Sequence, residues 1–194
     1  MRSLILTVIA CASCAAAVAA AAVAAAADSE QALISQEQQA SALAQEFVGL
    51  LKPQLKQAMT EGGPAHAIAV CADVAPGIAD ALTAQSGWLV KRVSLKSRNA
   101  SRAVPDNWER SVLDNFNRRQ AAGEAAAQIN FGEVTGGRFR YMQAQGVEPL
   151  CLTCHGKELS PIVVETLQQY YPDDWATGYD LGDVRGAISL SKGL

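Results

Sequence analysis

The pattern of hydrophobic and polar positions divides the chain into a helical first half and a mixed second half. Leu33, Leu43, Phe47, Leu50, Leu51 and Leu55 recur at helical spacing among Gln, Glu and Lys, which predicts a helix from residue 29 to about 60. Pro53 lies inside this run, where its missing N–H is expected to kink or split the helix. Glu61, Gly62 and Gly63 end it. A second helix starts at Pro64, a residue suited to the first helical turn. At about 100° per residue it carries Ile68, Cys71, Ala75, Ile78 and Leu82 on one narrow stripe. Pro76 is a second kink site, and Gly87 a stop.

The texture changes at Trp88. Residues 89–95 are short, partly β-branched and bounded by polar positions, and read as a strand; residues 97–105 read as a polar loop. Asp106 caps a helix running from Asn107 to about Arg119, with Trp108, Val112, Leu113 and Phe116 facing inward. After a turn at Gly123, residues 128–134 and 138–143 read as two strands about Thr135-Gly136-Gly137, the best hairpin signal in the chain. Ser160 and Pro161 start a short helix over residues 161–171. Tyr171-Pro172-Asp173-Asp174 reads as a turn, and residues 186–190 as a closing strand. The expected class is α+β.

The first residues add a compartment. Arg2 is followed by an uncharged stretch from Leu4 to Ala22, and Ala25-Ala26-Ala27 offers a small-residue cleavage site, so residues 1–27 read as a secretory signal and residues 28–194 as a single mature domain. A retained membrane anchor is the alternative, since the stretch is long enough to span a bilayer. Val8-Ile9-Ala10-Cys11 loosely resembles a lipobox, but Cys11 comes too early to leave an adequate apolar core before it. Cleavage lowers Lys plus Arg from 16 to 15 against 19 acidic residues, taking the net charge from −3 to −4. A mildly acidic chain is a poor match for nucleic acid. No stable membrane span is expected after cleavage, and the expected location is the periplasm of a bacterium. Cleavage also removes Cys11 and Cys14, leaving Cys71, Cys151 and Cys154.

The remaining cysteines carry the chemistry. Cys151-Leu152-Thr153-Cys154-His155 has the spacing of a c-type haem attachment site. Each thiol adds to one porphyrin vinyl group, two intervening residues let both sulfurs reach one edge of the ring, and the adjoining histidine is carried under the iron as the proximal ligand. A redox C-x-x-C belongs in a thioredoxin-like βαβ setting, which is missing around it. Zinc needs four tetrahedral ligands, which the adjacent Cys154 and His155 are poorly placed to share with Cys151. A plain disulfide leaves His155 unexplained. Haem c, one per chain and attached outside the cytoplasm, agrees with the export signal.

One axial position is then left, with His66, Cys71, Met59 and Met142 as donors to weigh. His66 shares a polar face with Asp73 and Asp80 and reads as an exposed histidine. Cys71 lies about 140° from His66 on the helix, within the apolar stripe. From pattern alone it is most simply an inert buried thiol, although a helix packed on a porphyrin would present it to the iron. Met142 alternates with Arg138 and Arg140 and reads as surface or rim; Met59, near a helix end, reads as packing. Arg92, Lys96, Arg98, Arg138 and Arg140 are propionate partners by charge, although such residues are more often solvated.

Several runs in order resemble a family of exported bacterial c-haem domains of unknown function. They are Ala67-Ile68-Ala69-Val70-Cys71 before Ala75-Pro76; the V-K-R-V-S-L-K-S-R-N run over residues 90–99; Pro105, Trp108 and Glu109; the C-L-T-C-H motif; and G-Y-D-L-G-D-V-R-G-A-I-S-L over residues 178–190. The resemblance covers residues 35–191, and the departures at Ala100 and Ala103 do not touch the ligands. It implies a PAS-like fold, an antiparallel sheet with N-terminal helices around a single c-type haem, found alone or as the sensing part of signalling proteins. It further implies iron held by His155 and Cys71. With both axial positions filled, substrate has no open site, so an enzyme is not expected. The function implied is redox or gas sensing, with low-potential periplasmic electron transfer as the alternative, through a separate redox or signalling protein partner. A class I cytochrome c would carry its motif early and a methionine after it, and a peroxidase would need an open distal site.

Overall fold

The computed structural model describes the backbone of residues 6–194 and the side chains of residues 27–194. All but the last residue of the expected export signal, with Cys11 and Cys14, lies outside the side chains described. The chain falls into two units, residues 1–39 and residues 40–194. The first is helical over its described length.

Helix α1 (Leu6–Ser86) is one element with a break at Gly63, where φ is 68° and ψ is −164°. The expected split at Pro53 does not occur: the helix passes through Pro53 and Pro76 and breaks at the glycine instead. That backbone conformation is open essentially to glycine alone, so Gly63, not a proline, sets the boundary that the sequence placed at Glu61–Gly63. By length and composition residues Ala27–Ser86 are long and apolar enough to cross a membrane. A buried core helix meets the same criteria, and from Ala40 onward this one contributes to the core.

A four-stranded antiparallel sheet follows, in the order β1–β4–β3–β2, from β1 (Leu89–Val93), β2 (Asn130–Thr135), β3 (Arg138–Gly146) and β4 (Val184–Gly193). The expected hairpin is present. Gly136 and Gly137 both have positive φ, 59° and 72°, as a type I′ turn demands, and Thr135 pairs with Arg138. Strands β3 and β4 run longer than their hydrophobic patterns suggested because each is the other's long partner, from Arg138↔Gly193 to Gly146↔Val184.

The sheet is buried on both faces, with period-two alternation sorting the residues. Val90, Phe139, Tyr141, Ile188 and Leu190 face α1 and pack with Phe47, Ile78, Leu82 and Trp88. Val93, Met142, Ala144 and Ala187 face helix α2 (Asn107–Ala121) and pack with Val112, Leu113 and Phe116. This corrects the reading of Met142 as a surface or rim residue. It is fully buried, because α2 covers the strand face that Met142 shares with Arg138 and Arg140.

Helix α2 starts as expected at Asp106, in a reciprocal capping box with Glu109. Trp108 is only partly buried; its indole N–H donates to Glu133, and the Arg140 guanidinium lies 4.1 Å from its ring centroid. Glu109 is fully buried. It accepts hydrogen bonds from the Asp106 backbone N–H at 2.9 Å, from Lys91 Nζ at 2.9 Å and from the Ser189 hydroxyl at 2.6 Å. A carboxylate at this depth persists because three donors and the nearby cations Lys91 and Arg140 compensate its charge.

Gly63→Ala is expected to lower unfolding free energy by about 1–3 kcal/mol, the conformational cost of a side chain in this backbone region. Gly49→Ala, inside α1 with nothing within 4 Å of the added Cβ, is expected to stabilise by roughly 0.5–1 kcal/mol. Urea unfolding of the two variants checks both signs.

Candidate haem-binding site

The C-x-x-C-H motif occupies a tight helical corner. Pro149 opens a 3-10 turn, Pro149–Cys151, which runs into the single helical turn α3 (Leu152–His155). On such a turn Cys151, Cys154 and His155 fall within a sector of about 100°, so both thiols and the imidazole leave one side of the corner. Gly156 stops it. Its N–H donates to the Leu152 carbonyl at 2.9 Å, and a Cβ there would lie 2.6 Å from that oxygen.

This corner borders a cavity whose opposite wall is α1. Cys71, Cys151, Cys154 and His155 all line it, with Leu51, Leu55, Ile68 and Tyr171 among the other lining residues. Cys71 is thus brought to the motif from 80 or more positions earlier in the chain, as the apolar stripe allowed. Helix α4 (Pro161–Tyr170) packs behind this wall: Val163 and Leu167 lie on Ile68 of α1, with Cys154 and Tyr171 against them. Met59 also lines the cavity. His66 does not; it is exposed and lies 3.8 Å from Glu61, in keeping with the polar face expected for it.

His155 is held in one tautomer. Its Nδ1 lies 2.6 Å from the Ala176 carbonyl oxygen, and an oxygen acceptor at that distance requires the proton on Nδ1. Nε2 is left with its lone pair. Burial, reinforced by the charge of Arg98, pushes the imidazole pKa down to about 3, so the ring stays neutral across the ordinary pH range. A neutral imidazole whose second nitrogen is tied to a carbonyl is the usual form of a metal-ligating histidine.

Arg98 organises the surroundings. Its guanidinium pairs with Asp174 at 3.0 Å, the two side chains being 12% and 8% exposed. It also donates to the carbonyls of Cys154 and Ala176, and its Nη1 lies 3.4 Å from His155 Nε2. Asp174 in turn accepts from the Ala176 N–H at 2.8 Å. Charge alone had marked Arg98 as a propionate partner; here its donors are spent on protein. The structural part of Asp174 and of the Ala176 carbonyl had no signal in the sequence, where residues 171–174 showed only turn chemistry.

Burial raises the thiol pKa values of Cys71 and Cys154. For Cys71 the opposing influences are Arg92, then Arg98; for Cys154 the chief one is Arg98. Among the remaining cations proposed from sequence, Arg92 lines the cavity. Lys96 donates to the Thr177 carbonyl and lies over the Tyr179 ring. Arg138 bonds Ser191 and Arg140 bonds Asp106 on the sheet, and neither lines the cavity.

The Tll0287-like family model, described as Tll0287, matches residues 12–192, and the chain belongs to that family. The fold is similar to the crystal structure of the cyanobacterial heme-protein Tll0287, with a TM-score of 0.58 and 26% sequence identity over 82% of this chain and 94% of that one. No curated protein matches the chain.

Asp174→Ala leaves a buried guanidinium without its counter-charge and is expected to cost about 3–5 kcal/mol of stability. Asp80→Ala, which breaks the exposed pair with Arg102, is expected to cost under about 1 kcal/mol. Urea midpoints of the two variants, side by side, check the contrast.

Proposed function

We propose that this member of the Tll0287-like family is an exported c-type haem protein, with haem joined to Cys151 and Cys154 and its iron held between His155 and Cys71. The observation that carries the reading is the convergence of these four residues on one cavity, with His155 already fixed in its ligating tautomer. The relative of known structure is described as a heme-protein, which supports the cofactor class. A PAS-like domain and a periplasmic location belong to the same reading; the antiparallel sheet flanked by helices and the export signal support them.

The residues divide the work. Cys151 and Cys154 sit on a rigid corner that sets the porphyrin edge. Ala176 orients His155 and raises its basicity through the Nδ1–H bond. Cys71 comes from α1, a different element from the motif, and would hold the iron from the α1 wall of the cavity. Bound here, the haem supplies one-electron iron chemistry, and a thiolate donor stabilises the ferric form and lowers the potential. Iron held by His155 and Cys71 would have no open position for substrate, which disfavours catalysis. Redox or gas sensing, passed to a separate protein partner, is the function this arrangement serves best. Low-potential electron transfer is the second reading. It is favoured by Trp175, 71% exposed beside the carbonyl that orients His155, where a redox partner has an aromatic contact.

Wild-type protein produced with c-type haem maturation is expected to retain haem on a denaturing gel, and Cys151→Ser/Cys154→Ser to lose it. Retention by the double variant overturns covalent attachment at these residues. The ferric wild-type protein is expected to give a low-spin EPR signal with the narrow g-spread of thiolate ligation, replaced by a wide-spread or high-spin signal in Cys71→Ala. A wide-spread signal in the wild type removes Cys71 from the iron. Reduced Cys71→Ala is expected to bind CO faster than reduced wild type; equal rates argue against sensing by loss of Cys71 and favour electron transfer.

A further inference from the structure

Six cationic residues border the haem-binding cavity: Lys52, Lys91, Arg92, Arg98, Arg102 and Arg185. Four are already neutralised within the protein. Lys52 pairs with Glu148, Lys91 with Glu109, Arg98 with Asp174 and Arg102 with Asp80. Arg92 and Arg185 have neither a carboxylate partner nor a side-chain hydrogen bond among the described residues.

The two differ in place. Arg185 falls between the register pairs Gln145↔Gly186 and Gly146↔Val184, at a bulge, and it also borders a second cavity beside α2 with Leu113, Asn117 and Gln120. Arg92 stands on the α1 face of β1, one residue from Lys91, which points to the α2 face and Glu109. Its guanidinium lies 5.9 Å from the Phe47 ring centroid. Burial pushes its pKa below the usual arginine value, and the groups that act against this are Cys71, Tyr171 and Cys151. All three line the cavity. Arg92 is half-buried and borders the cavity, and its planar fork of five donors has no carboxylate partner.

Given the haem reading above, on which this inference rests, we propose that Arg92 receives a propionate carboxylate of the haem. The porphyrin carries two carboxylates at the edge opposite its vinyl groups. A planar carboxylate accepts two parallel N–H bonds from one guanidinium, which satisfies the arginine and holds the propionate ionised within the protein. Arg98, Lys91 and Arg102 are excluded as first partners because each would have to leave a carboxylate to bind another.

The test is resonance Raman spectroscopy of the ferric holoprotein, read at the haem propionate bending band, for wild type, Arg92→Gln, Arg92→Lys and Arg185→Gln. The expected result is covalent haem in all four, a shifted band in Arg92→Gln, a smaller shift in Arg92→Lys and none in Arg185→Gln. The midpoint potential of Arg92→Gln is expected to move negative, since a positive charge that favours the reduced form is lost, while its ferric EPR signal keeps the wild-type g-values. An unshifted band in Arg92→Gln overturns the proposal, as does a shift confined to Arg185→Gln. A changed EPR signal with an unshifted band also overturns it and assigns Arg92 to Cys71 instead. If Arg92→Gln does not load haem, Arg92→Lys decides by its band alone, a shift supporting and a wild-type band overturning. A wild-type chain that carries no covalent haem overturns the reading of the cavity itself, and this proposal with it.

Discussion

The buried Arg98–Asp174 pair is the constraint on which the site depends. It joins three stretches that are remote along the chain: the loop after β1, the C-x-x-C-H corner through the Cys154 carbonyl, and the segment after α4. Backbone bonds repeat the connection, from the Trp175 N–H to the Ser97 carbonyl, the Gly178 N–H to the Gly156 carbonyl and the Tyr179 N–H to the His155 carbonyl. The consequence is local and chemical. The Ala176 carbonyl is held where His155 Nδ1 must donate to it, so the pair selects the tautomer of the imidazole although Asp174 never touches the ring's Nδ1. Both charges are largely buried, so separating the pair is costly.

The sheet then separates two tasks by alternation. Val90 and Arg92 stand on the α1 face, Val90 in the core and Arg92 at the cavity; Lys91 and Val93 stand on the α2 face, Lys91 on Glu109 and Val93 in the second half of the core. On the α2 side the buried Glu109 carboxylate accepts from Asp106, Lys91 and Ser189, which ties α2 to the sheet. On the α1 side the cation is left for the cavity. A slip of one residue in β1 would exchange Arg92 and Lys91 and take Lys91 away from the buried Glu109 carboxylate. The pairing of Val90 with Leu190 and of Val93 with Ala187 therefore matters to the site as much as to the fold.

Where local chemistry decides the conformation, the chain was legible. Asp106 with Glu109 marks the start of α2, Gly136-Gly137 marks the hairpin, Ser160-Pro161 marks α4, and the stripe from Ile68 to Leu82 marks the buried face of α1. Where the answer depends on what covers a surface, the pattern misled or was silent. Met142 shares its strand face with two arginines and looked peripheral, but α2 lies over it. Trp108 was read as a core residue and instead lies half-buried beneath Arg140. Pro53 carries a breaking signal that the packed helix overrides, and the break moves to Gly63, where backbone geometry has no competitor. Strand β4 extends to Gly193 because β3 offers partners that far.

The sequence by itself determined the C-x-x-C-H constellation and the elements that carry it. Two thiols and an imidazole at fixed spacing act together because covalent geometry joins them, and caps, turns and apolar stripes act over a few residues. Through a family resemblance it also singled out Cys71. Only the tertiary structure decided which remote groups share a space: Cys71 opposite the motif, Arg98 committed to Asp174, Ala176 behind His155, Arg92 facing the cavity unpaired. Charge and burial are properties of neighbours in space, and no periodicity along the chain records which residue will be left without one.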